Sequence, residues 1–367
     1  VSDTLVEGLV ATPYAVPADS PESDGTLEWD STTIVVIEVS AGGQRGLGYT
    51  YGHHSIAELV RSTLAPAVEG ADVLAPPRAW AAMQREVRNV GRQGLAAMAI
   101  SAVDVALWDL RAKLLGLSLA DSLGRFREAI PAYGSGGFTS YGDSELAGQL
   151  RGWVDRGCER VKIKVGRDPE RDPHRLAVAR EAIGEKVKLM VDANGAFDRR
   201  AAAHWAERYA ELGVSYFEEP VSSDDLDGLR WLRDAAPAGI EVAAGEYAWD
   251  LFELERLAGC VDVLQADVTR CGGITNVLRA DGICRARSLP FSAHCAPQVS
   301  AHLCCAMERA VHVEYFHDHA RVESMLFEGT LELEGGMLRP EPSRPGLGIE
   351  LRKEAERCLL ADRHGRV

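Results

Sequence analysis

The chain has 367 residues, 46% of them hydrophobic, and carries a formal net charge of −15. That length supports a large core and fits one barrel-sized domain plus a smaller one. The charge argues against nucleic acid as a partner, because phosphates would be repelled, and no apolar run approaches the ~18 residues of a membrane span.

Val1-Ser2-Asp3-Thr4 lacks a basic region followed by an apolar core, so no secretory leader is expected. None of the eight Cys stands in a C-x-x-C spacing. The expectation is a cytoplasmic protein with buried free thiols and no structural zinc.

The first hundred residues read as an α+β module. Pro13 to Asp30 is rich in Pro, Ser, Asp and Gly and is read as a mobile loop. Thr32–Val39 is β-branched and stops at Ala41-Gly42-Gly43, a turn signal after which Gly46–Tyr51 can return antiparallel. Residues 55–66 and 78–89 have helical patterns. Residues 95–115 form a long helix whose apolar surface is interrupted by Asp104 and Asp109.

From Ile130 the pattern changes. Eight short strand candidates follow: Ile130–Gly134, Val161–Val165, Val187–Val191, Ser215–Phe217, Glu241–Ala244, Val261–Gln265, Pro290–Ala293 and Val311–Tyr315. Helical segments such as Arg175–Ile183, Ala201–Leu212 and Leu251–Leu257 fill the gaps. Apolar strands alternating with helices indicate a parallel sheet, and units of this length close into a barrel that gathers its strand ends around one mouth. The tail from Gly335 to Gly348 is turn-rich and is expected to leave the barrel.

Chemistry-bearing residues recur at or near those strand ends: Lys162/Lys164, Asp192, Glu218, Glu246, Asp267, His294 and Glu314. Taken singly, an acid at such a junction is usually a cap or turn residue. Asp192, Glu218 and Glu246 at three consecutive junctions instead make an all-oxygen cage suited to Mg2+. In Glu218-Glu219 the two side chains point to opposite faces, so only one can be a ligand and the other is expected in an ion pair or a supporting contact. Lys162 and Lys164 share the inward face of one strand, and each ammonium is expected to lower the pKa of the other, favouring a base near neutral pH. Asp267 can accept from the His294 ring and fix its tautomer. Glu314, if held protonated, could donate to a developing oxyanion. These parts suit removal of the proton next to a carboxylate, which needs a dication and a base. Bases on opposite faces permit either racemisation or loss of a β-hydroxyl.

At this point the sequence resembles the mandelate racemase subgroup of the enolase superfamily, over nearly the whole chain. Ala102-Val103-Asp104-Val105-Ala106-Leu107-Trp108-Asp109-Leu110 resembles the linking helix of that family. Lys162-Ile163-Lys164 is similar to its K-x-K. Val191-Asp192-Ala193-Asn194, Phe217-Glu218-Glu219-Pro220 and Ala244-Gly245-Glu246 are similar to its metal-ligand segments. Gln265-Ala266-Asp267, Cys271-Gly272-Gly273-Ile274-Thr275 and Ser292-Ala293-His294 are similar to those of its Asp–His dyad, and Pro345–Ile349 to its return toward the capping domain.

The resemblance implies an α/β architecture, a modified TIM barrel (β/α)7β with an N-terminal α+β capping domain. The chain then divides into residues 1–125 (cap and linking helix), 126–330 (barrel) and 331–367 (a segment returning to the cap). It implies one Mg2+ per subunit on Asp192, Glu218 and Glu246. Lys164 would be the base, Lys162 would tune it and touch the substrate carboxylate, His294 oriented by Asp267 would be the opposite base or acid, and Glu314 would bond the carboxylate. Asn194 would touch a substrate hydroxyl. Specificity would come from Tyr14–Trp29 and Tyr49–His54, making Tyr14, Trp29, Tyr51 and His53 substrate-contact candidates. A homo-oligomer, dimer or octamer, is also implied.

The favoured reaction is dehydration of an acid sugar, an aldonate or aldarate, to a 2-keto-3-deoxy acid. The polar 49–54 stretch suits a hydroxylated small-molecule carboxylate better than a phenyl ring. The alternatives are racemisation or epimerisation of an α-hydroxy acid, a non-catalytic binding barrel, and a two-metal hydrolase, which would call for more than one His at the strand ends.

Overall fold

A computed structural model describes residues 4–360. Its N-terminal part is a three-stranded antiparallel sheet of β1 (Gly8–Ser23), β2 (Glu28–Ala41) and β3 (Gln44–Tyr51), in that order. The stretch expected to be a loop at Pro13–Asp30 is instead most of β1, a tight turn, and the start of β2. Composition misled because β1 is an edge strand, where only alternate N–H groups need a partner and proline is tolerated. The Pro-rich part carries a register irregularity between Pro17 and Glu22. Asp24 closes the turn by accepting from the backbone N of Thr26 (2.6 Å) and Leu27 (2.7 Å). This hairpin reaches over the barrel: a Cβ on Gly25 would fall within 3.0 Å of the carbonyl oxygens of Ala193 and Val165.

Helical turns at 55–68 pack against β1, and the helix Pro76–Glu86 packs on them and on the long helix that follows, near the expected spans. The long helix Leu95–Leu114 is almost entirely buried because it lies between β3 and the barrel helix Gly273–Ala286. It approaches β3 closely. A Cβ on Gly46 or Gly48 would fall within 3.0 Å of the carbonyl oxygens of Ala106 and Ala102, respectively. The two aspartates that interrupt its apolar surface are pins. Asp104 accepts from Thr275 N (2.8 Å) and Oγ1 (2.6 Å) on the barrel side. Asp109 accepts from Leu47 N (2.7 Å) on β3 and Leu347 N (2.5 Å) on the tail, and pairs with Lys113 (2.7 Å).

Eight parallel strands form the barrel: β4 (Ile130–Gly136), β5 (Arg160–Lys164), β6 (Lys188–Asp192), β7 (Val214–Glu218), β8 (Glu241–Ala244), β9 (Val263–Ala266), β10 (Phe291–Ala293) and β11 (Ala310–Phe316). Each pairs with the next, and β11 closes on β4 with Glu314 opposite Tyr133. A helix lies in every crossover, the (β/α)7β plan, and the helix His317–Leu326 follows β11. Outward residues such as Val161, Ile163, Leu189 and Val191 join one core with the surrounding helices. The tail adds Met337–Leu338 antiparallel to β4, then reaches the cap, where Leu359 bridges Tyr14. Among the described residues no helix is long and apolar enough to cross a membrane. The eight cysteines are free, all buried except the half-buried Cys358.

Glu323, on the helix after β11, accepts from Tyr49 Oη (2.6 Å) and Gln298 N (3.1 Å) and so joins cap to barrel. Burial pushes its carboxyl up to about 8, although both hydrogen bonds oppose the shift. A carboxyl raised on folding stabilises fully below its unfolded value and loses that contribution as pH rises through its folded value.

Two outcomes are expected. Gly48→Ala should lower the unfolding free energy toward the upper end of the ~1–3 kcal/mol range for overpacking, read by urea denaturation. In Glu323→Gln the pH dependence of stability should flatten between about 4.5 and about 8, relative to wild type, by up to ~1.4 kcal/mol per pH unit. Parallel profiles for the two proteins would show that Glu323 is ionised in the fold.

Candidate active site

The barrel mouth assembles the strand-end residues as the spacing predicts. Lys162 and Lys164 both turn inward from β5. Lys162 Nζ contacts Glu218 Oε2 at 2.5 Å, Glu314 Oε1 at 2.8 Å and Asp192 Oδ2 at 3.5 Å. Lys164 Nζ contacts Asp192 Oδ2 at 2.6 Å. Asp192 and Glu218 end β6 and β7. Glu246 follows β8 after Gly245, whose φ of 138° and near-contact with the Gln265 carbonyl leave no room for a side chain.

One carboxylate oxygen from each of Asp192, Glu218 and Glu246 lies within 4.8 Å of the others, and all three residues are buried. Oε1 of Glu218 is buried without a hydrogen-bond partner. A hard all-oxygen set with an unsatisfied buried oxygen fits a divalent cation of the Mg2+ type. Burial pushes the Glu218 carboxyl up to about 8, and the neighbouring Asp192 adds to the shift. Glu219 is buried at a φ of 38° and makes no ion pair among the described residues. Burial, then Glu246, Asp192 and Glu218, hold its carboxyl well above the usual range. Its Oε1 is also buried without a hydrogen-bond partner, and the ion pair expected as one option is not formed.

Opposite β5, His294 Nδ1 lies 2.8 Å from Asp267 Oδ2, while Asp267 Oδ1 accepts from Thr269 N and Oγ1, both at 2.7 Å. Nε2 of His294 faces Glu246 Oε2 at 2.6 Å. Burial alone would lower the His294 pKa, but Cys295, Glu246 and Glu314 together raise it well above the ordinary value.

Two electrostatic expectations need correction. The lysines do not hold each other near neutrality. Burial would lower both, and Lys162 does lower Lys164, but Glu218 and Glu314 on Lys162, and Asp192 on Lys164, outweigh these effects and raise both pKa values. For Glu314 the surroundings favour the carboxylate over the protonated donor considered above. Burial would raise it, but Lys162, His294 and Lys164 hold it below the usual carboxylate range, and it accepts from Ser135 Oγ at 2.5 Å.

A cavity of about 400 Å³ lies between cap and barrel, lined by Lys164, Asn194, Glu246 and His294 below and by Trp29, Tyr51 and His53 above. Asn194 has a φ of 47° and spends Nδ2 on Glu246 (3.3 Å), leaving a buried Oδ1 unpartnered. Tyr14 does not line the cavity. It is 4% exposed, because β1 carries it into the interior opposite Ile34. Tyr49–Tyr51 belongs to β3, the antiparallel return expected of Gly46–Tyr51. Sequence reasoning missed Tyr247, Arg270, Phe316, Asp318 and His319, which also line the cavity. Asp318 and His319 follow β11 as Asn194 follows β6, so the strand-end rule carried past Glu314 would have found them. His319 stacks on Tyr51, ring centroids 3.4 Å apart.

Residues 145–355 match the enolase C-terminal domain-like family, and residues 15–124 the N-terminal domain of the mandelate racemase / muconate lactonizing enzyme family. The chain belongs to the mandelate racemase/muconate lactonizing enzyme family of the enolase superfamily. Among solved structures of this family, a mandelate racemase/muconate lactonizing enzyme-like protein from Rubrobacter xylanophilus is 61% identical, with a TM-score of 0.96 covering 97% of this chain and 100% of that one. L-talarate/galactarate dehydratase of Salmonella typhimurium LT2 is 31% identical over 93% of this chain and 88% of its own. Its crystal structure with Mg and L-lyxarohydroxamate has a TM-score of 0.90, covering 97% and 93%. D-galactarolactone cycloisomerase of Agrobacterium fabrum is 29% identical over 92% and 94%.

Glu218→Gln should weaken Mg2+ binding at least about tenfold, and Glu219→Gln less, in calorimetric titrations. Equal losses would undo the choice of Glu218 as the ligand.

Proposed function

We propose that this enzyme takes Mg2+ on Asp192, Glu218 and Glu246 and removes the proton α to a substrate carboxylate, leading to dehydration of an acid sugar, an aldonate or aldarate, to a 2-keto-3-deoxy acid. The observation that carries the reading is that Lys164 on β5 and His294 after β10 line one cavity beside a buried carboxylate cage, with His294 held by Asp267 at 2.8 Å. Bound Mg2+ would supply positive charge to the substrate carboxylate as the α-carbon loses its proton.

The side chains supply the rest. Lys164 Nζ reaches the cavity beside Asp192 and takes the proton once deprotonated. Lys162, ion-paired with Glu218 and Glu314, keeps a positive charge below the base. Asp267 fixes the His294 ring through Nδ1, so Nε2 faces the cavity and protonates the departing β-hydroxyl. The walls offer substrate hydroxyls mixed polar and aromatic contacts from Thr32, Asp318, Trp29 and Tyr51. Similarity to the talarate/galactarate dehydratase supports this reaction.

A second reading is an isomerisation of the same family, either cycloisomerisation, supported by similarity to the galactarolactone cycloisomerase, or racemisation by the two opposed bases. A binding barrel without turnover is the least economical reading, because it buries this many charges without use.

Proton NMR in D2O, with Mg2+ and a panel of acid sugars, lactones and α-hydroxy acids, separates these readings. A 2-keto-3-deoxy product supports dehydration. Loss of the C2–H signal with no loss of water, or lactone consumption with no dehydration product, supports the second reading. Lys164→Ala and His294→Asn should each lower kcat/KM by about 10²–10⁴; full turnover in His294→Asn would end the two-sided mechanism.

A further inference from the structure

Next to the oxygen cage stands a second group of potential ligands that this chemistry does not use as such. Nε2 of His294, Sγ of Cys295 and Oε2 of Glu314 form a triangle with sides of 3.2 Å (N–S), 3.4 Å (S–O) and 3.5 Å (N–O). Zinc holds thiolate sulfur at ~2.3 Å and imidazole nitrogen or carboxylate oxygen at ~2.0–2.2 Å, so tetrahedral ligand atoms stand about 3.3–3.6 Å apart. The triangle has nearly the edges that such an ion requires.

Further observations support it. All three residues are buried. Asp267 occupies Nδ1 of His294, the carboxylate–histidine arrangement that orients metal-binding imidazoles and leaves Nε2 as the ligand. Cys295 and Ala296 both take positive φ, 50° and 43°, which folds the chain back so that the thiol meets the ring of the residue before it. The Cys295 backbone N is tied to the same Glu314 oxygen at 3.2 Å.

We propose that His294, Cys295 and Glu314 form a site for a thiophilic dication such as Zn2+, separate from the Asp192–Glu218–Glu246 cage, and that filling it inhibits the enzyme. Binding expels the thiol proton, and the Nε2 proton where one is present, to solvent; no electron is transferred. A coordinated Nε2 can neither take nor give a proton. Mg2+ does not replace the soft ion there, because it prefers oxygen ligands and dehydrates reluctantly. Metal binding at this site is independent of the reaction proposed above, whereas the inhibition rests on it.

The test uses the full chain with excess Mg2+ present and Co2+ as the optical probe. One equivalent of Co2+ should give a thiolate-to-metal charge-transfer band, and Zn2+ should remove it by displacement. Cys295→Ser should abolish the band and weaken Zn2+ binding at least about tenfold, while Cys358→Ser, at the half-buried distant thiol, should keep both. No band in wild type, or a band that survives Cys295→Ser, overturns the site. Should Cys295→Ser fail to fold, zinc-edge anomalous diffraction from wild-type crystals decides the matter: a peak between the three ligand atoms supports the site and its absence there overturns it. Turnover should fall as Zn2+ binds. Bound zinc with unchanged turnover overturns the inhibition, and with it the role of His294, while leaving the site in place.

Discussion

Everything at the barrel mouth answers to one constraint: a group of buried carboxylates that cannot be left without positive charge. Asp192, Glu218, Glu246 and Glu314 all lie below 3% exposure, and Lys162 touches three of them. Breaking one member of such a buried set leaves an uncompensated charge, at a cost far above that of a surface pair. The barrel meets this constraint by bringing each group from a different strand, so that no single segment carries the repulsion. The same crowding explains why the ammonium groups sit above their ordinary pKa values and Glu314 below its own. A dication in the cage would take over part of the role that Lys162 and Lys164 now fill, which links metal binding to the readiness of Lys164 to accept a proton.

The cap is positioned by a different kind of interaction. The long helix is apolar nearly all round, so hydrophobic burial fixes its depth but not its rotation or register. Asp104 and Asp109 supply the missing direction, one toward the barrel through Thr275 and one toward β3 and the tail through Leu47 and Leu347. Unpaired, either carboxylate would be costly to bury, so the hydrogen bonds also select against sliding. The cavity walls inherit this alignment, since Trp29 and Tyr51 stand on strands of the sheet that the helix holds.

Much of this was legible in the sequence, and the reasons are physical. Barrel strands are buried on both faces, so they read as short apolar runs, and their ends fall at regular intervals. That made Asp192, Glu218, Glu246, Asp267 and His294 visible as a converging set. The hairpin at 8–41 was not legible in full, because pairing with β2 and its edge position, rather than local propensity, make β1 a strand. Tyr14 was misplaced for the same reason. The charge states were also beyond sequence reasoning: K-x-K shows that two ammonium groups are neighbours, but not that Glu218, Glu314 and Asp192 surround them more closely. Cavity residues such as Arg270 and Asp318 depend on which loops the cap leaves uncovered.

The hairpin tip at Gly25 has a wider meaning. It rests directly on the backbone that follows Lys164 and Asp192, with no space for a side chain. The contact is mainly between main chains, with the small side chain of Ala196 close by, and it requires glycine at the tip. Side chains along the flanks of the hairpin, Trp29 among them, face the cavity without taking part in that contact. The seating of the hairpin on the catalytic strands and the shape of the wall it offers a substrate are thereby set by different atoms of one short segment.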